Sequence, residues 1–201
     1  MEEKQNLKTM VNKLHYLMYL FFIISCKKAT FNNNKFHPEI SINNSLYLKD
    51  GISINNFYKD YKNLNIIHSL RETPIIIFAD KQDKEYLIAY QYEGDAKNEF
   101  SLFEIGYIKN DPRLIKNINK TTYDIFKTES GLCLGLDLKD ILSLKGTPSK
   151  VIKKQDKTIL IYEINIQDDK RISKYNMPSY YMHIYTKNNK TYKIIFGFSY
   201  P

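Results

Sequence analysis

Tryptophan is absent from this 201-residue chain, glycine occurs only seven times, and cysteine twice. Each scarcity excludes something. With so few glycines there is no phosphate-cradling loop, and neither Gly-Lys-Ser nor Gly-Lys-Thr occurs. No Gly-x-Ser-x-Gly turn is present to expose a nucleophilic serine. His37, His68 and His183 stand far apart and lack ligand spacing, so no metal site and no cofactor are expected. The longest apolar and aromatic run, residues 14–24, interrupted only by His15, reaches roughly 16 Å as a helix against a hydrocarbon core of ~30 Å, too short to span a bilayer. The formal charge is +8, yet its lysines are scattered in short pairs such as Lys27-Lys28 and Lys153-Lys154. Without an arginine stripe or recognition helix, no nucleic-acid partner is expected.

What is there begins with an ordered leader. Lys4, Lys8 and Lys13 precede the apolar run, and Ile23-Ile24-Ser25-Cys26 follows its core. A basic start, a short apolar stretch and a small residue at the cut are the signals that export machinery reads. The cysteine discriminates, because an ordinary cut site has no use for a thiol. This segment resembles the lipobox of bacterial lipoproteins. The resemblance implies cleavage between Ser25 and Cys26, removal of residues 1–25, and acylation of Cys26 on sulfur and amine. Several acyl chains anchor firmly, at ~0.8 kcal/mol per buried methylene. A buried N-terminal helix with an incidental cysteine is the alternative. Lipidation would leave Cys133 alone in an apolar setting, Gly131-Leu-Cys-Leu-Gly-Leu136, where a thiol behaves as a small core residue.

Residues 26–44 read as a polar tether, with an edge strand at 39–42 as the alternative. Two segments carry helix-start chemistry. In 51–61, Ser53 is the N-cap candidate, and Ile54, Phe57, Tyr58 and Tyr61 share a helical face. In 135–148, Asp137 is the N-cap candidate and Asp140 the capping-box acid. Leu138, Ile141 and Leu142 make its buried stripe; Gly146 and Pro148 end it. The remainder reads mainly as strands, at 74–79, 86–92, 100–108, 123–128, 158–164, 180–186 and 192–200. Polar turns at 80–85 and 187–190 make hairpins. The element order points to two tandem halves, 45–112 and 113–201, each a short helix followed by antiparallel strands.

Gly135, Leu136, Asp137, Asp140, Ile141, Gly146 and Pro148, followed by a strand, resemble the small lipoproteins of the SmpA/OmlA outer-membrane-assembly family and the related beta-lactamase-inhibitor-like repeats. The resemblance covers about 40 residues. It implies an α+β fold, an antiparallel sheet with short helices packed on one face, and a protein-binding role.

No catalytic residue stands out. Glu104 and Glu129 lie in apolar strand-like settings and are the carboxylates to watch; the tyrosines offer a stacking platform. The expected protein is a noncatalytic interaction module, lipid-anchored in a bacterial envelope. It would sit at the outer membrane facing the periplasm, since Lys27 is not the aspartate of inner-membrane retention. An envelope protein is the expected partner. An inhibitor or immunity-type lipoprotein is the alternative, and a hydrolase or carbohydrate-binding protein the next.

Overall fold

The computed structural model describes residues 36–68, 74–111, 114 and 118–200. The leader, Ser25 and Cys26 lie outside them. The described chain is mostly antiparallel sheet with few short helices. Residues 36–44, expected within the tether, are packed instead. Strand β1 (Ser41–Ile42) pairs antiparallel with β2 (Leu46–Tyr47) across Asn43-Asn44, both at positive φ, which asparagine tolerates. Ile42 is fully buried, and Phe36 stacks on Tyr162 at 4.9 Å. Three apolar side chains, Phe36, Ile40 and Ile42, outweigh the polar residues between them.

The main sheet holds β3 (Ile66–His68), β4 (Pro74–Ala79), β5 (Glu85–Tyr90), β6 (Leu102–Tyr107), β7 (Ile118–Lys120), β8 (Lys150–Lys154), β9 (Lys157–Asn165), β10 (Ser179–Lys187) and β11 (Lys190–Phe198). Their order is β3-β4-β5-β6-β11-β10-β9-β8, with every neighbouring pair antiparallel. Strand β7 runs parallel to β4, beside Ile77–Ala79, while β3 covers Pro74–Ile76. These two short strands therefore divide one edge of β4. Asn119 stitches the division: its amide donates to the Ile77 carbonyl (3.0 Å) and its oxygen accepts from the Asn65 N–H (3.0 Å). The β10–β11 turn is Asn188-Asn189, both left-handed, whose twist suits a two-residue hairpin.

Strand β6 pairs with β11, so strands from the front and the back of the chain share one sheet. The register builds apolar rows across it. Leu160, Ile184, Ile194, Ile105, Leu87 and Phe78 face one another in succession from β9 to β4. Tyr162, Met182, Phe196, Phe103, Ala89 and Ile76 form the next row. All twelve are at most 2 % exposed and belong to one core with Ile42, Leu46, Leu48, Phe126 and Leu132.

Two helices join that core through Ile54, Phe57 and Ile141. Helix α1 (Ile54–Phe57) is shorter than the 51–61 expected, and Ser53 does not cap it. The Ser53 hydroxyl donates to the Asp50 carbonyl (2.7 Å) and accepts from the Tyr47 N–H (3.0 Å). Asp50 takes the turn-forming role instead, accepting from the N–H groups of Ile52 (2.9 Å) and Ser53 (3.2 Å). Tyr58 then turns extended and packs its ring on Phe78, ending the helix. Helix α2 (Leu138–Lys145) follows Asp137, which has the extended torsions of an N-cap but makes no side-chain cap bond. Its carboxylate pairs with Lys190 at 2.9 Å. Gly146, at φ 72°, closes the helix with its N–H on the Leu142 carbonyl (2.9 Å). Leu138 and Leu142 are half-buried beside the fully buried Ile141.

Helix α2 delivers Lys145 into the interior. Its ammonium bonds to the Glu39 carboxylate and to the His37 carbonyl (2.8 Å), with the Lys145 and Glu39 side chains 3 % and 0 % exposed. Ser130 donates to the same carboxylate through its hydroxyl and its N–H. The Tyr180 hydroxyl bonds to both the N–H and the C=O of Glu39. Breaking such a pair leaves a buried, uncompensated charge, so Lys145→Met is expected to cost about 3–5 kcal/mol in urea unfolding. The double variant Glu39→Gln/Lys145→Met is expected to recover a substantial part of that loss; equal losses for both would show that the ion pair is not what holds the segment.

Candidate functional site

Alternation along the strands sends the other half of the side chains to the opposite face. There Glu163, Tyr181, Gly197, Leu102 and Tyr90 align across five strands. Beside them run Ile161, His183, Ile195, Glu104 and Ile88, then Ile159, Tyr185, Lys193, Gly106 and Tyr86. At the β4–β5 end this face is buried: Ile77, Ala79, Tyr86 and Ile88 form a second cluster with Ile108, against which Leu114 and Ile118 pack. Towards β10 it opens: Tyr181, His183, Tyr185, Lys193 and Ile195 are each only part-buried.

Glu104 is the polar centre of this face. It accepts from the Tyr86 hydroxyl (2.7 Å) and the Tyr90 hydroxyl (3.3 Å), and pairs with Lys193 at 2.6 Å. Gly106 makes this possible, since a Cβ there would lie 2.4 Å from the Tyr86 oxygen. Burial first, and the Glu104 charge second, push both tyrosine hydroxyls far above their ordinary range. They act as neutral donors. The Glu104 carboxylate is therefore occupied by three partners. Glu129, the other carboxylate singled out from the sequence, pairs with Arg171 at 3.1 Å and accepts from the Ser41 hydroxyl at 3.1 Å. Burial, then the charge of Glu39, raises its pKa.

Along β10 the rings of Tyr181, His183 and Tyr185 succeed one another at 4.9 and 6.4 Å, and Tyr192 follows Tyr185 at 6.2 Å. Tyr92 meets this strip from the β5–β6 connection, its hydroxyl on the Phe198 carbonyl (2.9 Å). Tyr181, His183, Ile195, Glu163 and Ser199 line an open trough of about 670 Å³. Burial lowers the His183 pKa while Glu163 opposes it. The trough thus offers a neutral aromatic surface with one carboxylate at its rim.

The residues singled out from the 135–148 motif serve the scaffold. The Gly135 N–H donates to the Thr191 carbonyl (2.8 Å), the Thr191 N–H returns to Leu136 (2.9 Å), and the Leu138 N–H reaches Asn189 (2.9 Å). With Asp137 on Lys190, this docks the start of α2 on the β10–β11 hairpin. Asp140 sits in the first turn of α2, where a negative charge favours the helix dipole, and Pro148 lies between α2 and β8. Ser53 belongs to the β2–α1 connection. None of Ser53, Gly135, Asp137, Asp140, Gly146 and Pro148 is among the residues of the open face. Sequence alone points to Glu104 but not to its grouping with Tyr86, Tyr90 and Lys193, because the four come from three strands. The alternation Tyr86-x-Ile88-x-Tyr90 was the signal that could have placed two of them together.

Cys133 is half-buried, and burial followed by the Glu85 charge raises its thiol pKa, the reverse of an activated thiolate. Among the described residues no group of three or more His, Cys, Asp or Glu could hold a metal ion, and no helix is long and apolar enough to cross a membrane. Comparison with protein families, curated proteins and solved structures found no match for this chain.

The Glu85 carboxyl links stability to pH. Burial pushes it up to about 7, against a single N–H bond from Phe126 (2.9 Å). The native state therefore holds this proton longer than the unfolded chain. The stabilisation is complete below about pH 4.5 and is lost as pH rises through about 7. Glu85→Gln is expected to be more stable than the parent at pH 8, by up to roughly 3 kcal/mol, and little changed at pH 4. Urea unfolding at both values checks this; a variant less stable at pH 8 would contradict it.

Proposed function

We propose that this chain is a lipid-anchored envelope protein that acts as a noncatalytic protein-interaction module. Acyl chains on Cys26 hold it at the periplasmic side of the outer membrane, and the open sheet face receives an envelope protein. The observation that carries the reading is the mismatch between the two faces. One is closed by β1, β2 and the segments around Phe126 and Leu132, whereas the other leaves Tyr181, His183, Tyr185 and Ile195 part-exposed in neighbouring positions. Aromatic side chains with a neutral polar tip suit interfaces, giving large contact area at small entropy cost. The one central carboxylate there, Glu104, is engaged internally and so is poorly placed to act as a free acid or base.

The architecture extends this reading. Helix α1 precedes the meander β4–β6, and α2 precedes the meander β8–β11. We read these as two tandem helix-plus-sheet units whose helices lie on the closed face, in keeping with the SmpA/OmlA-like segment at 135–148.

A photo-crosslinking amino acid at position 185, with a control at position 97, tests the surface in intact cells. A discrete crosslinked envelope protein is expected at 185 and not at 97. Cys26→Ala is expected to abolish palmitate labelling, release the chain to the soluble fraction and remove the crosslink. No crosslink from any position on the open face would overturn the interaction reading, and retained label in Cys26→Ala would overturn the anchor.

A further inference from the structure

Strand β8 ends the sheet opposite the divided edge. It pairs with β9 on one side, from Lys150↔Ile161 to Lys154↔Lys157, and all five of its residues are exposed. At the far end of the sheet, β3 and β7 between them occupy β4 from Pro74 to Ala79. Strand β8 therefore presents an unshared row of backbone N–H and C=O groups among the described residues. We propose that β8 docks an extended acidic segment of a partner protein, which adds to the sheet as one more antiparallel strand. This rests on the interaction reading above and places a second contact on the same module.

The side chains of β8 define what fits. Val151 and Ile152 are 44 % and 40 % exposed. Val151 faces Leu160 and so continues the row that runs through Ile184, Ile194 and Ile105; that row ends at the edge instead of closing. Ile152 faces Ile159 and continues the opposite row through Tyr185. An added strand with apolar residues facing these two would lengthen both rows and cover both side chains.

Charge selects the occupant. Lys150, Lys153 and Lys154 make three of the five residues, and none is ion-paired among the described residues. The nearest turn acid, Asp156, is engaged by Lys187 at 3.7 Å. Lysines on an edge commonly prevent a chain from pairing with its own copies. Here two β8 edges brought together would oppose lysine to lysine, so a second copy is excluded as the occupant. The same charges attract carboxylates. Antiparallel to β8, the complementary pattern is acidic-acidic-apolar-apolar-acidic.

The probe is a blocked peptide with a Glu-Glu-Val-Val-Glu core, titrated into the full chain. One control replaces each Glu by Lys, and another replaces the second Val, the one opposite Val151, by Pro, which removes a backbone donor aimed at β8. Saturable binding of the first peptide is expected, with both controls roughly tenfold weaker or worse, and amide exchange at 150–154 slowed on binding. Lys150→Glu/Lys153→Glu is expected to weaken binding by roughly tenfold without altering thermal unfolding. The proposal is overturned by absent binding, by equal binding of the Pro peptide, or by protection appearing elsewhere. It is also overturned if anionic lipid vesicles protect 150–154 and the peptide does not. Because the crosslink at position 185 samples a different surface, its loss with peptide binding intact would sink the open-face reading alone, and the converse would sink only this one.

Discussion

Five pairings between β6 and β11, Leu102↔Gly197 to Gly106↔Lys193, decide how this molecule is put together. They join two meanders that would otherwise be separate sheets. They also fix parity, because side chains alternate with a period of two and a one-residue slip sends every one to the other face. In the observed register Phe103 and Phe196 meet at 5.6 Å inside the core, while Glu104 and Lys193 meet on the opposite side. A slip would place a carboxylate and an ammonium among phenylalanines without their tyrosine partners. The polar cluster on the open face thus penalises the wrong register as the apolar rows favour the right one.

The closed face depends on a second tie. Phe36 to Leu48 cross the core side of the sheet, and the polar anchor is Glu39 with Lys145, Ser130 and Tyr180. Lys145 reaches this point because α2 is docked at its start on the β10–β11 hairpin and ends at Gly146. The 135–148 motif thus has a structural part to play. It positions one cation against one carboxylate and so fastens the first described residues to the last strands.

Much of the sheet was legible in the sequence because its central strands are long and bounded by polar turns. Residues 74–79, the turn at 80–85 and the hairpin around Asn188-Asn189 sit where alternation and turn chemistry placed them. Helix α2 was legible through Gly146, whose left-handed torsion stops it. The short strands β2, β3 and β7 were not legible, and three further misses have clear physical reasons. Strand β8 reads Lys-Val-Ile-Lys-Lys, with no alternation, since as an exposed edge it has no buried face to pattern. Residues 36–44 looked polar because their buried members, Glu39 and Ser41, are satisfied only by partners some ninety or more residues away. The 123–128 stretch alternates weakly yet is not a strand, since Phe126 instead inserts into the core with its N–H on Glu85. Long-range partners of this kind leave no local trace.

An open face and the unshared edge of β8 are the physical basis for proposing an interaction role. That account rests on the parity of β10, and oxidative footprinting of the native protein tests it at neighbouring residues. Tyr181 and Tyr185 are predicted to be modified readily by hydroxyl radicals, while Tyr180 and Met182, both fully buried, stay protected until the protein unfolds. Rapid oxidation of Met182 in the folded protein, with Tyr181 protected, would mean that the faces are reversed and the account is wrong.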